Sequence, residues 1–436
     1  MKRFAKTAAV CLSAVMALSG CGNAEKTGAA TVETGEPTEE VSTEVPSMAE
    51  ETEAEEVDLP KADALDDTLK KSINAFNWKL YENADEESNL FYSPYSIASA
   101  VALADLGAKG TTKTEIESVL GIEDLQNFEE QIKLFAEKKK SGEPKITIAN
   151  SIWIDKSLEL SGDFNDTFEL PAKFYFDGEL KSVDFKNDTE NAQNEINKWV
   201  ADKTDDLISD YRSSADENTV ADIMNAIYFY GEWQSKFSAE DTRKEYFNSE
   251  KNPAEVDMMH MENAAFEYAE SDGLKAIALP YSDGSIQMDI IMTADESSKL
   301  KDVWSAEKAD ELYKALDEEN YQTFSKIALP KFQMDENFDG LKEALMAMGM
   351  KSAFGNDADF SGIADSLAIS GINHRAKVEV DEEGSKAAAV TEMTMETTAM
   401  LEPEDNKEFI VDRPFIFTIR DKESGVILFT GRVNNL

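Results

Sequence analysis

Asp381-Glu382-Glu383-Gly384-Ser385-Lys386-Ala387-Ala388-Ala389-Val390-Thr391 opens a segment, Val380 to Glu408, whose composition alone reads as a loop. From Ser385 onward it alternates. Ser385, Ala387, Ala389, Thr391, Met393, Met395 and Thr397 make one uncharged face, and Lys386, Glu392 and Glu396 fall on the other. Period two is the pattern of a strand with one face buried. An ordinary exposed edge strand would not need three successive alanines, which have poor strand propensity and little to pack. The uncharged face is small near Gly384 and larger further on, so the segment is built to slide between existing strands, starting at its Gly384 end.

Around this segment lies one domain. The chain has 436 residues, long for one core and short for three. Apolar residues at helical spacing begin at Leu69, Ile73 and Phe76, and Ser93-Pro94-Tyr95-Ser96-Ile97 starts a second helix with Ser93 or Ser96 as N-cap. Strand-like runs follow at Ile146 to Ile154, Val220 to Tyr230, Gly273 to Leu279, Ile286 to Met292 and Tyr321 to Leu329. Phe415 to Ile419 and Val426 to Val433 read as a buried hairpin around Asp421 to Gly425. The class is mixed α+β, without internal repeats.

An enzyme is disfavoured. The chain has two histidines, His260 and His374, and no Gly-x-Ser-x-Gly elbow to present a serine. Zinc lacks ligands, since no cysteine falls in the domain and no His-Glu-x-x-His pair exists. Gly-rich phosphate loops are absent as well, so no cofactor and no metal is expected.

The hinge Glu382-Glu383-Gly384-Ser385-x-Ala387-Ala388-Ala389-Val390-Thr391 resembles that of inhibitory serpins. The resemblance extends through about residues 65 to 436. Asn89 to Ile97 with Leu106 to Thr111 is similar to the family's helix B region, and Asn225 to Trp233 to its strand 3A. Leu329-Pro330-Lys331-Phe332, Asp359-Phe360-Ser361-Gly362 and Arg413-Pro414-Phe415 are further landmarks. The family's Asn-Pro near the end reads Asn434-Asn435 here, and the segment between hinge and Pro414 is several residues longer than in typical members.

The resemblance implies three β-sheets, eight or nine helices and a loop, 385 to 408, exposed above a five-stranded sheet. It implies a monomeric inhibitor rather than an enzyme. A serine protease attacks the loop as substrate, and the loop then inserts as a new central strand with the acylated protease attached. Ser93, Ser96, Asn225 and His374 match a hydrogen-bonded cluster beneath the opening sheet, the shutter. Glu382 and Lys331, beside Trp233, match a pair at its top, the breach. Counting fourteen residues on from Gly384 by the family spacing puts the attacked bond after Thr398, before Ala399, with the longer loop permitting Met400 or Leu401. Between Lys386 and Lys407 there is no basic residue, so a trypsin-like pocket finds no partner. Thr397, Thr398 and Ala399 suit the shallow apolar pocket of an elastase-like or subtilisin-like protease. The alternatives are a non-inhibitory serpin and a surface lipoprotein that binds a solute or host protein.

The chain's beginning carries its own signals. Met1 to Gly20 has Lys2, Arg3 and Lys6, then an apolar run to Leu18 too short to span a bilayer, as in a secretory signal peptide. Leu18-Ser19-Gly20-Cys21 resembles the bacterial lipobox, which would put lipid on Cys21 and hold the domain on the outward side of the cell envelope. Residues 21–60 are acidic and nearly without aromatics, the composition of a flexible tether with a reach of roughly 35 Å. The domain would then be residues 61–436. With the only other cysteine, Cys11, inside the signal, the mature fold has no disulfide. A net charge of −45 opposes binding of nucleic acid or heparin, and Lys138-Lys139-Lys140 reads as a solvated helix end.

Overall fold

The computed structural model describes residues 59–140, 144–206, 208–209, 211–318, 320–385 and 407–436. The signal and tether readings therefore lie outside the described residues, except for Leu59 and Pro60 at the end of the tether, as does everything from Lys386 to Asn406. That range includes Ala387, Ala388, Ala389, Val390, Thr391, Thr398 and Ala399 of the hinge and attacked bond.

Helix α1 (Thr68–Glu82) leads to strand β1 (Leu90–Tyr92) and helices α2 (Pro94–Asp105), α3 (Gly110–Leu120) and α4 (Leu125–Lys139). Strand β2 (Lys145–Asp155), helix α5 (Leu170–Phe176), strand β3 (Glu179–Val183), helix α6 (Thr189–Lys203) and strand β4 (Ala221–Glu232) follow. Four strands then run in succession: β5 (Arg243–Phe247), β6 (Ala254–Ser271), β7 (Leu274–Pro280) and β8 (Ile286–Thr293). After helices α7 (Leu300–Val303) and α8 (Ala306–Leu316) come β9 (Tyr321–Pro330), β10 (Phe332–Asn337) and helix α9 (Leu341–Met348). The chain closes with β11 (Gly371–Val380), β12 (Gly384–Ser385), β13 (Glu408–Ile410), β14 (Phe415–Asp421) and β15 (Ile427–Val433).

The strands make three sheets. One runs β10-β11-β12-β4-β2-β3, with β11 also paired to β4. A second runs β1-β15-β14-β8-β7, and a third is built from β5, β6, β9 and β13. The second and third share hydrogen bonds because the long strand β6 serves both, pairing Met258 to Glu267 with β9 and Glu267 to Ser271 with β7. The mixed α+β class agrees with the sequence reading, and nine α-helices and three sheets among the described residues agree with the three sheets and eight or nine helices that the resemblance implies.

Helix α2 holds the layers together. Ser93 is its N-cap, with extended backbone and a hydroxyl that accepts from the Ser96 amide at 3.1 Å, and Pro94 follows where no amide donor is needed. Ser96 thus lies inside the helix. Every residue of α2 is buried, and the helix packs on β2, β4 and β15. Its C-terminal connection is fixed by close backbone approach: the Gly362 amide donates to the Gly107 carbonyl at 3.1 Å, and a Cβ on Gly362 would come within 2.9 Å of that oxygen. Two of the family landmarks therefore meet here in space.

The β14–β15 hairpin is buried at every position. Of its charged members Arg420, Asp421 and Arg432, Arg420 donates through Nε to Asp289 at 2.8 Å and through its terminal nitrogen to Asp317 at 2.6 Å, while the guanidinium stacks over Tyr313. Burial pushes the Asp289 carboxyl up, and Arg420 opposes that shift. Such a pair adds little net stability but is costly to break. Asp289→Ala is expected to destabilise the fold by about 3 kcal/mol, read as an earlier first transition in urea unfolding; an unchanged transition would assign Arg420 to Asp317 alone.

Candidate functional site

The central pair of the six-stranded sheet, β4 and β11, runs parallel with Gly371 to Lys377 opposite Asp222 to Tyr228. Above that ladder the two strands part. Into the gap the chain turns back: Val380 of β11 pairs with Ser385, while Gly384 and Ser385 pair antiparallel with Glu232 and Gly231 of β4. The turn is stitched by Asp381, whose amide donates to the Gly384 carbonyl at 2.9 Å and whose carboxylate accepts from the amides of Glu383 and Gly384. Only glycine fits at 384, where φ is +156° and a Cβ would lie 2.6 Å from the Glu232 Cα.

The expectation of an exposed loop beginning at 385 is corrected here. Ser385 is fully buried, and its hydroxyl lies 2.8 Å from that of Tyr281. Tyr281 in turn stacks on Trp233 at 4.7 Å and meets Phe229 edge-on. Small size at 385 is what allows the chain to enter between two strands already in place.

The top of the slit is a cluster of directed contacts. Lys331 Nζ donates to Glu382 at 2.7 Å, and Thr242 donates to the other oxygen of the same carboxylate at 2.7 Å. The Trp233 amide donates to the Glu383 carbonyl at 2.8 Å, and its indole N–H to the Asp381 carbonyl at 2.9 Å. Lys236 bridges Glu232 and Glu383. Although burial works against its charge, hydrogen bonds to Lys331 and Thr242 hold the Glu382 carboxyl below its usual range. Trp233, Lys331 and Glu382 are thus brought together, with Thr242, Lys236 and Tyr281 as partners that sequence reading missed.

Lower down, Asn150, Asn225 and His374 stand opposite one another on β2, β4 and β11. The backbone amide of Ser93 donates to His374 Nε2 at 3.0 Å. An amide can only donate, so Nε2 accepts and the ring proton sits on Nδ1, which donates to Asn225 Oδ1 at 2.5 Å. The Asn225 amide nitrogen donates to Ser96 Oγ at 2.5 Å and to Asn150 Oδ1 at 2.7 Å. The Ser93 hydroxyl completes the cluster by donating to the Leu428 carbonyl at 2.6 Å. Ser93, Ser96, Asn225 and His374 therefore share one buried network, which ties α2 and β15 to both strands of the slit. Asn150 was missed; a lone amide in the apolar run Ile146 to Ile154 was its signal.

At the foot of the slit the Asn373 amide donates to Asp222 Oδ1 at 2.8 Å, while Asp222 Oδ2 has no partner among the described residues. Burial pushes Asp222 up to about 7, against the hydrogen bond from Asn373, and burial alone pushes His374 down to about 3. The second histidine, His260, is also buried but lies on β6, away from the slit, with Nε2 3.1 Å from Glu245. Among the described residues no group of three His, Cys, Asp or Glu could hold a metal ion.

The family model described as serpin (serine protease inhibitor) matches residues 71–436. The chain belongs to the serpin family. It is 36% identical to an uncharacterized serpin-like protein of Thermococcus kodakarensis, over 93% of this chain and 94% of that one. It is 35% identical to the leukocyte elastase inhibitor of Bos taurus, over 80% of this chain and 93% of that one. Among solved structures it resembles Serpin48 of the insect Tenebrio molitor, with TM-score 0.72, 30% identity, and coverage of 86% of this chain and all of that one.

The two titrating groups in the slit pull in opposite directions. The depressed pKa of His374 means that the closed slit is favoured above the ordinary value of 6.5 and loses that contribution as pH falls towards 3. The raised pKa of Asp222 means that its contribution is complete below 3.8 and is lost as pH rises through 7. Between 3.8 and 6.5 the two slopes cancel, so amide exchange at the β4–β11 ladder should vary little with pH beyond its intrinsic dependence. In Asp222→Asn only the histidine slope remains, and slit opening should rise by up to about tenfold per unit of acidification below 6.5. A flat profile in Asp222→Asn would exclude His374 as a group that titrates on opening, and equal pH dependence in both proteins would exclude Asp222.

Proposed function

We propose that this serpin inhibits serine proteases by inserting its own cleaved loop between β4 and β11, with elastase-like or subtilisin-like enzymes as targets. The observation that carries the reading is Ser385, seated between the two strands with its hydroxyl at Tyr281. Because strand residues alternate, an extension from Ser385 puts Ala387, Ala389 and Thr391 on the same buried face, where the side chains are small enough to enter.

The protease serine attacks the Thr398 carbonyl carbon. The bond to the Ala399 nitrogen breaks, that amine leaves with a proton, and an ester joins Thr398 to the enzyme. Insertion then replaces one ladder by two. At about 1 kcal/mol net per hydrogen bond, this supplies on the order of 10 kcal/mol, which makes the uncleaved fold a kinetically trapped state. Similarity to a leukocyte elastase inhibitor supports the choice of target class, as do the small residues Thr397, Thr398 and Ala399.

The chain acts as a monomer in this reading, needs neither cofactor nor heparin, and is held to the outer side of the envelope by lipid on Cys21 followed by the acidic tether. Mass spectrometry of the native N-terminus tests the anchor, and an unmodified secreted chain would refute it.

Incubation with neutrophil elastase should give a covalent complex that survives denaturing gel electrophoresis and release a C-terminal peptide beginning at Ala399. A peptide beginning at Leu401 or Glu402 moves the bond and points to chymotrypsin-like targets, while complete turnover without complex for every serine protease tried sinks the inhibitory reading. Ala387→Arg, which would bury a charge on insertion, should be cleaved as fast but raise the stoichiometry of inhibition by about tenfold or more.

A further inference from the structure

Between the C-terminal end of α1, helix α7 and the end of β15 lies a cavity of about 210 Å³. It is smaller than the usual site for a drug-sized ligand, which limits an occupant to a molecule the size of one amino acid. Its lining has two levels. Tyr81, Leu300, Arg432 and Asn434 are buried and form a floor, whereas Glu82, Glu86, Glu87 and Lys301 are exposed and form a rim. The floor holds a charge that no ion pair neutralises. Arg432 is 5% exposed. Its guanidinium donates to the backbone carbonyls of Asp85 and Ser88 and lies over the Tyr81 ring at 5.1 Å, and none of these contacts is to a carboxylate.

An arginine cannot give up its proton, so its burial without an anion is a standing cost, and a carboxylate that accepts two parallel N–H bonds relieves it best. A second, independent donor belongs to the same lining. Trp304 packs on Tyr81 with ring centroids 4.5 Å apart, and its Nε1 is buried with no partner among the described residues. A ligand oxygen would remove the penalty of that orphaned N–H. The rim calls for the opposite sign. Glu82 and Glu86 make no ion pair among the described residues, and Glu87 meets Lys301 only at 3.5 Å. Glu250, half-buried in the same lining, meets Lys299 at 3.5 Å. With four glutamates against Lys301 and Arg432 the lining is acidic overall, so a simple anion is disfavoured.

We propose that this cavity binds a free amino acid with a cationic side chain, lysine being the best fit. The α-carboxylate takes the guanidinium of Arg432 and the indole N–H of Trp304, the methylenes lie against Tyr81 and Leu300, and the ammonium groups stay at the rim with Glu82 and Glu86. Occupation ties the end of α1 to α7 and β15 and stabilises the native domain by mass action. None of the lining residues belongs to the slit or to the cluster around Glu382, so the inference does not rest on protease inhibition and is measured without it.

The test is calorimetric titration of the full chain with L-lysine, alongside cadaverine, which lacks the carboxylate, and hexanoate, which lacks both ammonium groups. Saturable one-to-one binding of lysine is expected, with both analogues weaker by about tenfold or more. Trp304→Phe keeps the ring and removes the N–H, and should weaken lysine binding by about tenfold. The paired changes Glu82→Gln and Glu86→Gln, both on the exposed rim, should weaken it by about fivefold and leave hexanoate binding no weaker. Absence of saturable binding, an equal affinity for cadaverine, or lysine binding unchanged in either variant would each overturn the proposal.

Discussion

The parallel ladder between β4 and β11 is the constraint on which the molecule turns. It runs from the Asp222–Gly371 pair to the Tyr228–Lys377 pair and is fastened beneath by polar side chains rather than by apolar packing alone. An apolar seam, once parted, simply becomes wetted. A polar seam leaves donors and acceptors buried and unpaired until a new partner arrives, at about 1 to 3 kcal/mol for each. The neutral His374, held between a backbone amide and a side-chain amide, makes the closed form well defined and the half-open form unfavourable. That combination keeps the sheet shut in the resting molecule.

Control of that seam is distributed around it. Helix α2 reaches the slit through the Ser93 amide and Ser96 hydroxyl, and Ser93 also grips the Leu428 carbonyl of β15. At the upper end, Glu382 is shared between Lys331, just beyond β9, and Thr242, just before β5. The third sheet is therefore wired through two of its strands into the position of the turn at Gly384. Movement of the loop root is felt by the third sheet as well as by the slit.

Much of this could be read from residues alone, for identifiable reasons. The buried hairpin Phe415 to Val433 was legible because two short, mainly apolar runs, Phe415 to Ile419 and Val426 to Val433, with a turn between them have few other solutions. Of the hinge only Glu382 to Ser385 lies among the described residues, and the alternation beyond Ser385 remains a reading of the sequence. Ser93, Ser96, Asn225, His374, Trp233, Lys331 and Glu382 came from resemblance, because nothing in their local sequence says that residues from five separate segments will meet. Asn150, Asp222 and Asn373 escaped. They sit in strands that read as plain core, and their polar character matters only once the register sets one opposite another. The burial of Ser385 escaped for a different reason: whether the first inserted residue is inside or outside depends on how far β4 and β11 diverge, which is a property of the assembled sheet.

That early seating of Ser385 has a bearing on which loop the sheet accepts. Joining two strands with a third normally begins with an improbable first pairing, after which each further residue adds more easily. Here the first pairing exists in the resting molecule, made by the chain's own loop and locked by a turn at Asp381 that no other molecule can supply. A neighbour's loop offered to the same slit would have to evict Gly384 and Ser385 before making any contact of its own. Under the proposed insertion mechanism, the occupied notch would give self-insertion a lead over chain-to-chain linkage and set the direction of zipping from the hinge downward.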